Sequence, residues 1–559
     1  TLFWLLCPIR CDRLDSWRQT LDWNTISRAR KRLARENGTI VKDWGGRLPV
    51  ALVYPNSYYV GMSNLGVHVI YRLFNQHSDV VCERVFYDEN DDVPVSVESQ
   101  RPLADFAVLA FSLSFELDYL NLVSMLRRSR IPLSSEVRDL RQPLLIAGGP
   151  CVISNPEPLA LIMDAFAIGE GEPIVPGLVE TLRRGPDLDR DDLLGHLALL
   201  PGLYVPRVHA PERDNGNSAG SGPTPAAPHS IQRQWLPDLD DQPASSVVLT
   251  KDTEFGDMYL MEVTRGCGRG CHFCLAAVAY SPVRERSPEV LLSTAKTGLT
   301  HRPTLGLIGA SLSDYTRMES LVRGLRRLGA RLSVASLRVD PLPAVLLEAL
   351  AESGAQTITI APEAGSERLR KRIRKGISTE DIMRAVELVA HYNFPQLKLY
   401  FMIGLPGEDD SDIGEIVELL RAVRERFHRR ITVNVTPFVP KAQTPFERAA
   451  MAPRKVLEGR FDYLKNGLRS LSVGTTGESP RRSEVQGVLA RGDRLVGETL
   501  MALDGTRLAD WRRALEATGL SAERYLAERR REEVLPWFNI AGQACPRTSV
   551  VEEVGQRAS

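Results

Sequence analysis

The sequence predicts an α/β protein built from two successive parallel-sheet units, and three observations predict it. Short apolar runs alternate with helical stretches from Leu48 to Thr181 and again from about Asp257 to Leu471. Continuous apolar strands joined by helices form parallel sheets covered on both faces. Between the two regions, from Ala210 to Gln234, the chain turns to Pro, Gly, Ser, Asn and Ala, a composition that builds no core and reads as a flexible linker or inserted loop. The 559 residues are 43% hydrophobic and 25% charged, the make-up of an ordinary soluble globular chain of about two to four domains.

In the first region the candidate strands are residues 49–54, 106–112, 144–147 and 165–168. Leu65, Val69 and Leu73 recur at four-residue steps behind the caps Ser63 and Asn64, as an amphipathic helix requires. Gly148, Gly149 and Pro150 follow one strand directly, and Gly169, Glu170, Gly171 and Glu172 follow another; open parallel sheets bind ligands beyond these carboxyl ends. The second region places strands at residues 259–263, 304–308, 332–335, 357–360, 397–402 and 431–435. Six βα repeats in one run favour a complete or incomplete parallel barrel whose strand-end loops carry the chemistry. From about Gly474 the tail mixes helical segments, Asp510 to Thr518 and Ser521 to Glu533, with coil. The expected division is an N-terminal extension (1–45), a first sheet domain (46–205), a linker (206–250), a barrel (251–473) and a helical C-terminal region (474–559).

Lys+Arg and Asp+Glu both number 70, so the chain has no global electrostatic footprint for nucleic acid or anionic lipid. The basic runs Arg370 to Lys375 and Arg529 to Arg531 read as solvated helix faces. The apolar start, Thr1 to Cys7, is too short for a secretory signal or a membrane span, which predicts a cytoplasmic protein with no membrane partner. The missing initiator Met predicts a fragment or a processed chain.

Eight cysteines are too sparse in a chain of this length for a disulfide framework. Cys7, Cys11, Cys82, Cys151 and Cys545 read as structural or incidental thiols. The other three stand in Glu262-Val-Thr-Arg-Gly-Cys267-Gly-Arg-Gly-Cys271-His-Phe-Cys274, right after the first barrel strand. Three thiolates this close hold three irons of a [4Fe-4S] cluster and leave the fourth iron open, and Gly266, Gly268 and Gly270 let the backbone wrap the inorganic core. The alternative is zinc with His272 as fourth ligand. Adjacent Cys271 and His272 aim poorly at one tetrahedral ion, and no second CxxC or HxxxH lies nearby.

The C-x3-C-x2-C spacing, with the aromatic Phe273 before the last cysteine, resembles the radical S-adenosylmethionine (radical SAM) superfamily. That resemblance implies Cys267, Cys271 and Cys274 as metal ligands and catalytic residues, S-adenosylmethionine (SAM) on the open iron, and reductive cleavage of its sulfonium to a 5′-deoxyadenosyl radical. It also implies an external electron donor of the flavodoxin or ferredoxin type. Ile308-Gly-Ala-Ser311 stands where the superfamily usually has a Gly-Gly-Glu type turn, so this chain departs from the pattern and offers Ser311 there. Ser336 and Arg338 resemble the ribose and carboxylate contacts. Ile360-Ala-Pro-Glu363-Ala-Gly365-Ser366-Glu, before Arg374-Lys375-Gly376, is similar to the Gly-x-Glu-x-Gly-Ser segment, and Gly404-Leu405-Pro-Gly407-Glu resembles the turn that helps hold adenine.

The first region is similar to the corrin-binding module that precedes the barrel in the cobalamin-dependent subgroup, with Gly148 and Gly149 as the cofactor-side turn. Residues 54–66 and 533–537 look like an uncharacterised family of cobalamin-domain radical SAM proteins, a resemblance that covers roughly residues 40–540. No Asp-x-His-x-x-Gly is present, so no histidine is positioned to ligate cobalt, and His68 reads as a structural histidine. Cobalamin either binds without a protein ligand to cobalt or the domain is an empty scaffold. The fold implied is α/β: a Rossmann-like cobalamin-binding-type domain, a (β/α) radical SAM partial TIM barrel, and a small, mainly helical C-terminal region. The function implied is a radical SAM enzyme, with methyl transfer if cobalamin binds. Two alternatives stay open: tRNA or ribosomal modification of the methylthiotransferase kind, for which no second cysteine triplet or small basic RNA-binding barrel is seen, and a non-catalytic corrin or cluster sensor.

Overall fold

The computed structural model describes residues 22–185, 188–209 and 230–541. Cys7, Cys11, Cys545 and residues 210–229 of the linker lie outside the described residues.

A six-stranded sheet forms from β1 (Leu48–Tyr54), β2 (Val80–Phe86), β3 (Val108–Ser112), β4 (Leu144–Gly148), β5 (Ala165–Ala167) and β6 (Leu203–Tyr204), in the order β2-β1-β3-β4-β5-β6. All neighbours are parallel except β5 and β6. Every residue of β1 and β2 is buried, because helices cover both faces. On one side Val67, Leu73, Ile174 and Leu178 pack on Val50 and Ile146. On the other side Leu122 and Leu126 share a core with Val488, Leu500 and Trp511, so helices 480–491, 494–501 and 508–518 of the C-terminal region complete the first sheet's second layer.

Strand β2 breaks the apolar pattern at Glu83 and Arg84, which is why the sequence did not announce it. Both are buried, and both are paired: Arg84 Nε lies 2.7 Å from Glu98 Oε1 and its Nη2 lies 2.6 Å from Glu36 Oε2, while Glu83 accepts from Trp44 Nε1 at 2.6 Å. A buried ion pair with satisfied hydrogen bonds takes a place otherwise filled by apolar side chains.

After the short β7 (Ile231–Gln232) the chain builds an incomplete barrel. Three parallel strands, β8 (Met258–Glu262), β11 (Thr304–Ile308) and β12 (Arg331–Val334), make one part. Four more, β13 (Thr357–Glu363), β14 (Gln396–Ile403), β15 (Arg430–Pro437) and β16 (Gly474–Gly477), make the other. A single parallel bridge, Leu337 to Ile360, joins them. The barrel thus runs one strand beyond the six expected, since β16, rich in Gly and Thr, carries no apolar signal. The free edge of β8 is covered by residues 244–246, with Glu262 N–H donating to Ala244 O and Ser246 N–H to Leu260 O, each at 2.9 Å. A short hairpin, β9 (Thr264–Arg265) against β10 (Arg284–Glu285), leaves the end of β8, and β17 (Ile540–Ala541) pairs with β7. No described helix is long and apolar enough to cross a membrane.

His68 is 3% exposed and satisfied at both ring nitrogens: Nε2 meets Met62 O at 3.1 Å, and Nδ1 accepts from Val247 N–H at 3.2 Å and Val248 N–H at 3.3 Å. Those partners fix a neutral ring. Burial, opposed by the Met62 carbonyl, lowers its pKa from 6.5 to about 4. The unfolded chain therefore takes up the proton first as pH falls. The His68 contribution is complete above pH 6.5 and lost on descending to about pH 4, a span worth about 3 kcal/mol. Urea unfolding at pH 7, 5.5 and 4 should show this component in the wild type and lack it in His68→Gln; an unchanged pH dependence in the variant would contradict it.

Candidate active site

The cysteine loop starts where β8 and β9 end. Gly266 has φ +88°, and a Cβ there would lie 2.4 Å from Tyr280 O, so only glycine lets the loop turn back against the β10 side of the hairpin. Cys271 is buried, and Cys267 and Cys274 are half-buried. Burial pushes the Cys271 and Cys274 thiols up, and the Lys375 ammonium pulls both the other way. The loop is tied to the rest of the barrel through its backbone: His272 N–H donates to Ile373 O at 3.0 Å, and Phe446 N–H donates to His272 O at 3.2 Å. The His272 ring stands edge-on to Phe446, centroids 5.3 Å apart. Among the described residues no three His, Cys, Asp or Glu side chains converge on one ion position; a cubane asks instead for thiolates spread over separate irons.

Around the loop the barrel's strand ends bring several of the expected residues together. Ser311 donates to Asp314, which also pairs with Arg269 of the cysteine loop and lies 3.8 Å from Arg338 Nε. Arg338 N–H donates to Ser313 Oγ at 3.1 Å. Glu363, at φ +71° beside a register shift in β13, pairs with Lys375 at 3.0 Å. Phe273 packs on an apolar cluster that contains Met402 and Leu405. Gly404, at φ +80°, donates its N–H to Glu408. Ser336 is exposed on the segment between β12 and the Leu337 bridge. Gly148 ends β4 of the first sheet, and Gly149 follows it.

The reading of Arg370 to Lys375 and Arg529 to Arg531 as solvated faces needs correction at three positions. Arg370 is fully buried and donates to Ala364 O, Gly365 O and Ile377 O at 2.6–3.1 Å, clamping the turn that follows Glu363. Lys375 faces the cysteine loop. Arg529 is buried and paired with Glu533. Lys371, Arg372, Arg374, Arg530 and Arg531 are exposed. In each run the helical turn sends some cations outward and others to carbonyls or carboxylates that the sequence does not place.

A cavity of about 510 Å³ lies between the two sheets, within the size range of small-molecule and cofactor sites. Gly148, Gly149 and Gly171 line its first-sheet side, and Thr264, Arg265 and Gly266 its barrel side. Thr264 Oγ1 is buried with no hydrogen-bond partner among the described residues. Beside the cavity Arg265 holds the two units together. It bonds Glu170 Oε2 at 2.7 Å, Glu172 Oε1 at 2.8 Å and Glu262 Oε1 at 2.8 Å. Arg284 pairs with Glu170 at 2.6 Å, and Arg286 with Glu262. Burial alone would raise the Glu170 and Glu262 carboxyls, but these guanidinium groups hold both below the usual value.

Comparison with known proteins agrees with this layout. The radical SAM superfamily model matches residues 261–420, and the model for the N-terminal part of radical SAM proteins matches residues 66–206. An uncharacterized protein of Methanocaldococcus jannaschii is 30% identical over 456 residues, 79% of this chain and 88% of that protein. The chain is a radical SAM enzyme. A tRNA-2-methylthio-N(6)-dimethylallyladenosine synthase of Pelotomaculum thermopropionicum is 24% identical over 196 residues, 32% of this chain and 43% of that protein. Among solved structures, the radical SAM methyltransferase TsrM of Kitasatospora setae overlays with a TM-score of 0.47 at 14% identity, over 72% of this chain and 75% of that one. The cobalamin-dependent radical SAM enzyme OxsB gives 0.46 at 16% identity, over 67% and 52%.

Radical SAM enzymes work with a [4Fe-4S] cluster and SAM, and the residues present fit both. Three thiols share one glycine-turned loop beside the cations Lys375 and Arg338, and carboxylate, guanidinium and apolar surfaces surround it. Sequence reasoning missed Arg265, Lys375 and Asp314. Arg265 had one available signal: it directly precedes Gly266-Cys267, at the start of the cysteine loop. Replacing Arg265 by Met removes the one ion pair that Glu172 makes among the described residues and leaves Glu170 and Glu262 with one each. Removing one member of a buried ion network costs about 3–5 kcal/mol, so urea unfolding should show a loss of that order. A loss under about 1 kcal/mol, the value of a surface pair, would mean that the network does not join the two units.

Proposed function

We propose that this radical SAM enzyme binds a corrin in the cavity between the two sheets and transfers a methyl group to an unactivated centre of its substrate. The cavity carries this proposal, because it shares Gly266 with the loop that begins at Cys267. A methyl carrier works only where it reaches both SAM and the accepting carbon, since reacting atoms must approach to about 3–3.5 Å. His68 is engaged at both nitrogens, so the corrin is held without a cobalt ligand from it.

In this proposal Cys267, Cys271 and Cys274 hold three irons. Arg338 pairs with the methionyl carboxylate and Glu363 with the methionyl ammonium. Ser336 meets a ribose hydroxyl, Phe273, Gly404 and Leu405 bed the adenine, and Ser311 is kept in place by Asp314. When bound, the cluster supplies one electron to the SAM sulfonium and the corrin carries the methyl group. The electron comes from an external donor of the flavodoxin or ferredoxin type, in a reducing compartment such as the cytoplasm. The protein's share is to orient these groups and keep water from them. The division into a corrin-binding unit (46–205) and a radical SAM barrel (251–473), with the linker and C-terminal region around them, belongs to the same proposal.

Two measurements test it. Anaerobic reconstitution should give one [4Fe-4S] cluster per chain, and changing any one of the three cysteines to Ala should remove both the visible absorption and the release of 5′-deoxyadenosine from SAM; zinc without iron at this loop would contradict the assignment. Equilibrium dialysis with hydroxocobalamin should show retention, with a spectrum free of histidine coordination. Gly148→Leu should abolish that retention, since a Cβ at Gly148 touches only Ala167, at 3.6 Å, and a longer side chain fills the cavity without straining the strand. No retention by the wild type, with cobalamin well in excess of protein, would move the reaction away from methyl transfer.

A further inference from the structure

The two faces of the barrel strands differ in chemistry. On β14 and β15, Leu397, Leu399, Phe401, Ile431, Val433 and Val435 are buried in the core shared with the outer helices. Their alternates, Lys398, Tyr400, Thr432, Asn434 and Thr436, are half-exposed and face the interior. The strand register sets Thr359, Lys398 and Thr432 in one row and Tyr400, Asn434 and Thr476 in adjoining positions nearer the strand ends. A closed barrel of this kind fills these rows with branched apolar side chains. Here they are polar and, except for Thr359, accessible; the Lys398 row lies in the amino-terminal half of the strands and the Tyr400 row nearer their carboxyl ends.

The donors on these rows are not balanced by acceptors. Lys398 is the charged residue of the two rows and forms no ion pair among the described residues; its ammonium stands 5.1 Å from the centre of the Tyr400 ring. Asn434 Oδ1 and Thr432 Oγ1 are already engaged, by Thr476 and Gln396. The Asn434 amide NH2 and the Tyr400 and Thr436 hydroxyls have no hydrogen-bond partner among the described residues. Glu363, at the end of β13, pairs with Lys375. An ammonium on a strand face with no carboxylate in reach is best satisfied by an anion, and charge-assisted bonds to one are about twice as strong as neutral ones.

We propose that the substrate of this enzyme carries an anionic oxygen group, a carboxylate or a phosphate, which Lys398 binds on the β14–β15 face with Tyr400, Asn434 and Thr436 as further donors. The proposal rests on the reading of the barrel mouth as the reaction site. It assigns substrate recognition to the half of the barrel opposite the cysteine strand, so that the anionic end is held while the reacting carbon points to the loop.

Isothermal titration of the cluster-loaded enzyme with malonate, and separately with inorganic phosphate, tests this without SAM or corrin, so failure here and failure of the methyl-transfer reading are distinct results. Saturable binding is expected, weakening with added NaCl, at least about tenfold weaker in Lys398→Met and largely retained in Lys398→Arg. Tighter malonate assigns a carboxylate and tighter phosphate assigns a phosphate; either supports the proposal. Cluster absorption reports whether each variant has folded, and Lys398→Gln carries the same expectation if Lys398→Met does not assemble. No saturable binding of either anion, or equal affinity in the wild type and the charge-removing variant, would overturn it.

Discussion

Arg265 is the residue on which the arrangement of this enzyme depends. Its guanidinium reaches Glu170 and Glu172 at the strand end of the first sheet and Glu262 at the end of β8, and its own backbone leads directly into Gly266 and Cys267. One side chain thus fixes the first sheet, the first barrel strand and the start of the cysteine loop to a common point. Three Arg and three Glu are gathered there, so the network is close to neutral and each charge is compensated. A buried charge left without a partner is far costlier than the pair is beneficial, which makes the contact intolerant of sliding: a shift of one sheet against the other strands a carboxylate. The cavity between the sheets owes its shape to that constraint.

What was legible in the sequence was what is local in it. The C-x3-C-x2-C loop, the glycine turns at Gly148-Gly149 and Gly404, and the alternating strands and helices all declare themselves within about a dozen residues. The two parallel-sheet units and the barrel followed from them. Features that depend on distant partners did not. Arg265 and Glu170 are 95 positions apart, and no pattern in either segment names the other. Strand β2 was hidden because Glu83 and Arg84 look like surface residues until Trp44, Glu36 and Glu98 are in place. Arg370 looked like one cation in a basic run, yet it serves backbone carbonyls that only the β13 turn creates. Arg265 and Arg84 are buried by carboxylates from elsewhere in the chain, whereas Arg370 was assigned to solvent although its carbonyl partners lie five to seven residues away.

The two halves of the molecule use the same parallel-strand chemistry to opposite ends. In the first sheet helices cover both faces, every position of β1 and β2 is buried, and ligand space arises only past the strand ends. In the barrel, β14 and β15 alternate buried with half-exposed positions, and the exposed set turns inward. A strand with that period is ordinarily read as having one face in water; here the water-facing side is the interior of an incomplete barrel. The C-terminal helices explain how the molecule stays one piece: they form the second layer of the first sheet after the chain has finished the barrel, so the first domain's core is completed by the last segment.

The central claim is that the cavity held by Arg265 and the cysteine loop are parts of one reaction chamber. Its most direct test is electron paramagnetic resonance of the enzyme loaded with cob(II)alamin, recorded with the cluster oxidised and then reduced. Both the cob(II)alamin and the reduced cluster carry an unpaired electron, and dipolar coupling falls steeply with distance. Reduction of the cluster should broaden the cob(II)alamin signal and speed its relaxation. A cob(II)alamin signal indifferent to the state of the cluster would contradict the claim, because it would put the two groups in separate places.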